Sequence, residues 1–404
     1  MPETSSYSGI EMADIAKISG VEKGSSGTTA NSIASSGVQT LSNGSIFNNP
    51  DVTADFAIGP ANSSHTFTKI VTQRYYQQAF ALKSNGTLWY WSMSNTFMSA
   101  TYFTADGTWR QYGTDTDWTD IAAGENCFGA VKDEDMWFIG YGTYRQRGDG
   151  STGSVTNWTR TNFTLNWSKV AMGYRMTAGI TTDGHVYTTG YGYDYMTGQG
   201  STSTISQFTR EKNSLTNITQ AVIGRRCSLY LNSSGDVYFT GNNGNNMAGP
   251  EITTTSAVNG PSVSSYGNDV RISTLGVPNY YGTCHIDSDG YLRHVGRGSY
   301  NMRPDGSSAN SQGASGMTKL TSAGDGWTYF DAQNWGNTST TTDLAIIGIQ
   351  DGALKVGGNG SNSVKAALGL TVDDTWQTIK SSGVTSAAHN LEGYDQRFSI
   401  IYWS

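Results

Sequence analysis

The chain has 404 residues, of which 14% are charged, and a formal net charge of -7. That length buries roughly three quarters of the unfolded surface without help from metals or disulfides, and the acidic balance argues against nucleic acid, whose phosphates need clustered Lys and Arg. Fifty Gly, 23 Tyr and 11 Trp, set among abundant Ser, Thr and Asn, favour many short strands and polar turns over long helices.

The chain opens with MPETSSYSGIEMADIAKISG, which has neither a basic n-region nor a continuous apolar h-region, so a secretory signal is not expected. No run approaches the ~20 apolar residues of a membrane span, so membrane insertion is not expected either. Met12, Ile15, Ile18 and Val21 recur every three residues on a segment too short to be stable alone. A Gly-, Ser-, Thr- and Ala-rich stretch of roughly twenty residues follows, which as a coil reaches ~25 Å. Residues 1–36 therefore read as a docking arm and flexible linker, with those four side chains as its contact stripe; a tail with chance isoleucines is the competing reading. The phrase MADIAKISGV, through Ile15, Lys17, Ile18, Gly20 and Val21, resembles segments near the termini of tailed-bacteriophage virion proteins, with Ser19 where Asn is usual.

Residues 37–404 carry a repeat. WTDIAAG at Trp118 recurs as WSKVAMG at Trp167 and ITQAVIG at Ile218, with weaker copies at Phe67, Val270, Met317 and Trp376. After most starts come a second strand, a tight turn and a third strand, as in FALKSNGTLWYW, GITTDGHVYTTG, LYLNSSGDVYFTG and HIDSDGYLRHVG. Gly beside Asn, Asp or Ser between alternating strands is a hairpin signal, because these residues tolerate positive φ. Units of about 50 residues, each too small to cover both faces of its own sheet, predict an all-β propeller.

The phrases resemble the regulator of chromosome condensation repeat, through Ala122, Ala123, Gly124, Ala130 and Val131 in one unit and Asp183, Gly184, Val186, Gly190, Gly198 and Gln199 in the next. The resemblance implies a seven-bladed β-propeller of antiparallel sheets. The family's usual His is replaced by Cys127, Met176 and Cys227, its Trp by Thr189 and its Leu by Gly200. The last unit lacks a third strand after FSIIYWS, whereas VQTLSNGSIFNN near the N-terminus carries a spare turn at Asn43 and Gly44. That segment is expected to close the ring. The sixth unit holds an apparent long insertion with Trp327, Tyr329, Phe330 and Trp335, and long loops in compact domains are often functional.

The search for chemistry is short. GYGYDYMTGQG fails as a dinucleotide loop because Tyr195 occupies the third glycine position. Cys127, Cys227 and Cys284 are widely spaced, the five histidines show no metal spacing, and no nucleophile elbow is present. No catalytic residue, metal or cofactor is assigned, and the chain is expected not to be an enzyme. Paired glycosidase carboxylates are the one enzymatic arrangement that spacing leaves open. Tyr144, Tyr193 and Tyr195, with Trp327 and Trp335, are the candidates for binding a partner or glycan, since aromatic faces stack while neighbouring amides supply hydrogen bonds; packing between blades is the alternative for the tyrosines. The sequence reading is a virion protein assembled in the host cytoplasm. Its arm docks on other virion proteins, and its propeller serves as tail fibre or adhesin toward a host-surface glycan or protein. Capsid decoration or head fibre, homo-oligomerisation, and a cellular propeller interaction protein are the alternatives.

Overall fold

The computed structural model describes residues 6–7, 10–11, 37–40, 46–49, 67–73, 78–92, 98–105, 109–244, 246–248, 257–264, 272–275, 282–296, 318–320, 323–333, 345–357, 376–383, 386–391 and 398–403. It is an all-β propeller of antiparallel sheets. Blade I comprises Phe67–Gln73, Gln78–Lys83, Leu88–Ser92 and Arg110–Gln111; blade II comprises Trp118–Gly124, Cys127–Lys132, Asp135–Gly140 and Val155–Arg160. Blade III comprises Trp167–Met172, Met176–Thr181, Val186–Gly190 and Ile205–Arg210; blade IV comprises Ile218–Ile223, Cys227–Asn232, Val237–Asn242 and Ala257–Ser264. Blade V comprises Ile272–Leu275, Gly282–Asp287, Leu292–Gly296 and Thr318–Lys319; blade VI comprises Trp327–Gln333, Ala345–Gln350, Ala353–Gly357 and Gln377–Lys380.

Among the described residues, blades built from consecutive strands number six rather than the seven expected. A further four-stranded sheet is composite, in the order Ser386–Leu391, Phe398–Trp403, Ile46–Asn49, Gly37–Thr40, joined by the antiparallel pairing of Ser399 with Phe47. Its Ser386–Leu391 strand lies against the first strands of blades VI and I. The shortfall has a simple cause: among the described residues the last repeat provides two strands of its own, and the N-terminal pair fills out the sheet. At the start of the chain, Ser6–Tyr7 pairs with Ile10–Glu11. Met12, Ile15, Ile18 and Val21 lie outside the described residues.

Three repeat boundaries need correction. The fifth start is Ile272, not Val270, as shown by its pairing with Asp287 beside the hairpin turn. Met317 was expected to open the sixth unit, but Thr318–Lys319 is the outer strand of blade V. Trp376 was expected to open the seventh, but Gln377–Lys380 is the outer strand of blade VI. The expected loop insertion around Trp327 is instead the first strand of blade VI, and Trp327, buried at 2% exposure, fills the place that Trp118 and Trp167 fill in their blades. A side chain in that place packs in the core and is not available to a partner. Trp335 lies outside the described residues.

Every first strand of blades I to VI carries the same irregularity, a register shift of one residue directly after its opening apolar side chain. The skipped residue is Thr68, Thr119, Ser168, Thr219, Ser273 or Thr328. A bulge leaves one residue out of the ladder, and here a hydroxyl restores a bond. Ser168 donates to the Ile180 carbonyl at 3.0 Å, Thr219 to that of Leu231 at 3.2 Å, and Thr68, Thr119 and Ser273 do likewise to Leu82, Val131 and Ile286.

The residue after the bulge reaches the neighbouring blade. Lys69 Nζ meets Asp120 Oδ1 at 2.7 Å, Asp120 Oδ2 accepts from the Val170 N–H, and Lys169 donates to the Thr219 carbonyl. Gln220 donates to the Ser273 carbonyl and accepts from the Leu275 N–H. The first strands of blades I to V lie against one another in turn, so this belt runs along the inner side from blade I to blade V. Outside it, apolar clusters fill the spaces between blade faces: Phe80 of blade I meets Phe128 and Trp158 of blade II at ring distances of 4.8 and 5.1 Å. Within a blade, volumes are matched. A Cβ at Gly179 would come within 2.3 Å of the Trp167 ring, and one at Gly348 within 2.5 Å of Trp327, while opposite the smaller Ile218 the corresponding site holds the buried Tyr230.

Candidate functional site

At one end of blades II to IV, the turns between first and second strands meet the loops between third and fourth strands. The loop of blade II runs from Tyr141 and that of blade III from Tyr191, each following a glycine that ends a third strand. Both are pinned to the next blade by hydroxyls. Thr177 and Thr189 of blade III donate to the carbonyls of Gln146 and Arg145 at 2.7 and 2.9 Å. Ser228 and Thr240 of blade IV donate to those of Met196 and Tyr195 at 2.7 and 2.9 Å. Thr189 stands where the repeat family carries Trp, and its structural reason is this pin.

The pinned loops present an array of tyrosines and arginines. The Arg175 guanidinium lies 4.0 Å from the centre of the Tyr144 ring and 4.4 Å from that of Tyr174, and its Nε donates to Glu125 Oε2 at 2.8 Å. Tyr144 packs against Tyr191 at 5.7 Å, and Tyr191 stacks on Tyr193 at 5.8 Å with an interplanar angle of 7°. Arg226 lies 5.3 Å from the Tyr193 ring and is bonded through Nε to Asp194, while Arg225 lies 5.1 Å from Tyr174. Asp194 and Tyr195, within the short helical segment Tyr193–Tyr195, have positive φ. Tyr193 is 48% exposed, whereas Tyr144, Tyr174, Tyr191 and Tyr195 are half-buried.

Electrostatics follow from burial and pairing. Burial and then the Glu125 charge raise the Tyr174 pKa. For Arg175, burial works toward a lower value, but the hydrogen bond to Glu125 and its charge outweigh it and hold the group above the ordinary guanidinium value. It stays a cation under all ordinary conditions.

Of the three sequence-selected tyrosines, Tyr144 and Tyr193 are linked through Tyr191, Tyr144 half-buried beside Arg175 and Tyr193 half-exposed, while Tyr195 meets blade IV through its carbonyl. The arginines were missed in the sequence. Their signal was Tyr174-Arg175 and Arg225-Arg226 falling at equivalent turns, directly before Met176 and Cys227. Elsewhere the chemistry is quiet. Burial pushes the Cys127 and Cys227 thiols far up, which disfavours the nucleophilic thiolate. Among the described residues no group of three or more His, Cys, Asp or Glu could hold a metal ion, and no helix is long and apolar enough to cross a membrane.

No protein-family model matches the sequence, and no curated protein matches it. Solved structures do. Prp20p from Saccharomyces cerevisiae, whose structure was described together with its binding to Gsp1p and histones, superposes with a TM-score of 0.63 at 14% identity over 84% of this chain and 83% of that one. Human WBSCR16 superposes with a TM-score of 0.64 at 14% identity over 86% and 88%. The fold is that of the regulator of chromosome condensation propellers. Yeast RCC1 (Prp20) in its complex with Kap60 gives the same picture, with a TM-score of 0.63 over 84% of this chain and 81% of that one. At such identities the likeness concerns the fold.

Proposed function

We propose that the chain is a non-enzymatic recognition protein that binds a macromolecular partner through the tyrosine and arginine end of blades II to IV. The observation that carries this reading is the array itself. Tyr144, Tyr191 and Tyr193 are held beside Arg175 and Arg226 on loops that four hydroxyls of neighbouring blades fasten in place. Aromatic and arginine side chains on rigid supports are the usual anchors of recognition surfaces. The Prp20p structure was described with its protein partners Gsp1p and histones, which agrees with a binding role.

In its finer form the proposal is a virion protein that displays a seven-bladed propeller, the composite sheet acting as seventh blade, and serves as a tail fibre or adhesin toward host-surface glycan or protein. Its support is in the sequence: the apolar stripe Met12, Ile15, Ile18 and Val21 on a Gly- and Ser-rich tether, and the virion-like phrase around Lys17. Mass spectrometry of purified virions tests it, with the chain expected among the particle proteins. Its absence there would favour the cellular interaction protein. In a particle reconstruction, an ordered arm on the major capsid protein would favour capsid decoration over the tail.

A further inference from the structure

We infer that Arg175 is a preset carboxylate receptor and that the surface around it takes an acidic sugar, a uronic or sialic acid within a glycan. This rests on the recognition role proposed for the same face.

Arg175 is held on three sides. Its guanidinium carbon lies over the Tyr144 and Tyr174 rings at 4.0 and 4.4 Å, and Glu125 takes its Nε–H at 2.8 Å. Among the described residues that is the one hydrogen bond of its side chain, so both terminal nitrogens keep their donors for a ligand. The side chain is 26% exposed, so a ligand reaches it. A guanidinium held by two rings and a carboxylate presents a planar fork that matches a second carboxylate in two parallel bonds, with little rotamer freedom left to lose.

Beside the fork lies an aromatic platform. Tyr144 leads to Tyr191, and Tyr191 lies parallel to the half-exposed Tyr193. A pyranose offers an apolar C–H face that covers such a ring while its hydroxyls stay in water, and its carboxylate sits at the ring edge, where a neighbouring cation reaches it. Arg225 and Arg226 stand beside Arg175 at the same end, on a chain of net charge -7. An acidic ligand is drawn to this end, and repelled by the chain's overall charge elsewhere.

The test is a glycan array of the full chain in which uronic-acid and sialic-acid oligosaccharides are each printed beside their carboxyl-reduced forms, followed by calorimetry on the best binder. The expected result is at least tenfold weaker binding of the reduced form, at least tenfold loss in Arg175→Lys and in Tyr193→Ala, and unchanged binding in Tyr102→Ala, an exposed tyrosine on blade I. Thermal melting of Arg175→Lys close to the parent's separates lost recognition from lost folding. Equal binding of acidic and reduced forms, or no glycan binding at all, overturns the inference. If glycans fail but a protein partner binds with the same dependence on Tyr193, the recognition role stands and only the ligand class falls. If neither binds, both fall.

Discussion

The backbone N–H of Val170 donates to the carboxylate of Asp120 at 2.9 Å, tying the first strands of blades II and III across 50 positions of sequence. The other oxygen of the same carboxylate holds Lys69 of blade I at 2.7 Å. One nearly buried side chain thus spans three blades.

Removing it should be costly for a reason distinct from lost attraction. Asp120→Ala leaves the Val170 N–H without its acceptor, which costs roughly 2–3 kcal/mol in a buried setting. Asp120→Asn keeps an acceptor and should lose clearly less. Lys69, with 43% side-chain exposure, contributes a solvent-screened pair, and Lys69→Ala should cost at most about 0.5 kcal/mol. Urea unfolding of the three variants checks the order; equal losses for Ala and Asn at 120 would contradict it.

The bulge hydroxyls make a second, repeated prediction. Thr219→Val keeps shape but leaves the Leu231 carbonyl without the hydroxyl donor at 3.2 Å, at a cost of about 1 kcal/mol. Ser168→Ala should behave similarly, and the two sites, in different blades, should add in the double variant.

Tyr193 and Trp327 were grouped as binding candidates by sequence, and the structure separates them. Trp327→Ala empties a core place at 2% exposure and should destabilise by roughly 3–5 kcal/mol. Tyr193→Ala should leave the melting temperature nearly unchanged while weakening partner binding. A large stability loss in Tyr193→Ala would place that ring in the packing and not in recognition.

Acid should find a particular weakness in blade V. Burial lowers the His285 pKa to about 3, against about 6.5 in the unfolded chain. Between those values the unfolded chain binds a proton that the folded chain refuses. The contribution is therefore full above about pH 6.5 and declines as pH falls toward 3, with a slope of at most about 1.4 kcal/mol per pH unit. His285→Asn should flatten the dependence of the urea midpoint on pH in that window; an unaltered slope would remove His285 as its source.

The repeat, the antiparallel hairpins and the first strands at Phe67, Trp118, Trp167 and Ile218 were legible because first strands combine an apolar opening residue, a hydroxyl and a following hairpin signal. Met317 and Trp376 misled because outer strands have one neighbour and a weak pattern. Trp376 mimicked an opening residue while packing as an outer partner of Trp327, 4.5 Å away. The recognition surface was half legible. Tyrosine clustering showed in the sequence, but Arg175 and Arg226 belong to turns 30 or more positions away from the loops they meet, as the 32 positions between Arg226 and Asp194 illustrate.

The composite sheet also fixes an order of events. Strands Gly37–Thr40 and Ile46–Asn49 leave the ribosome before any of blades I to VI, yet their partner Phe398–Trp403 is made after all of them. Six blades can settle one after another by local pairing, but the N-terminal pair must wait with an unmatched edge until strand Phe398–Trp403 has been made. Long-range pairing of this kind is slow to form because chain closure precedes its reward. Completion of the ring is therefore the last step in assembling the propeller, and an unclosed chain carries an open edge that invites a second copy to pair with it.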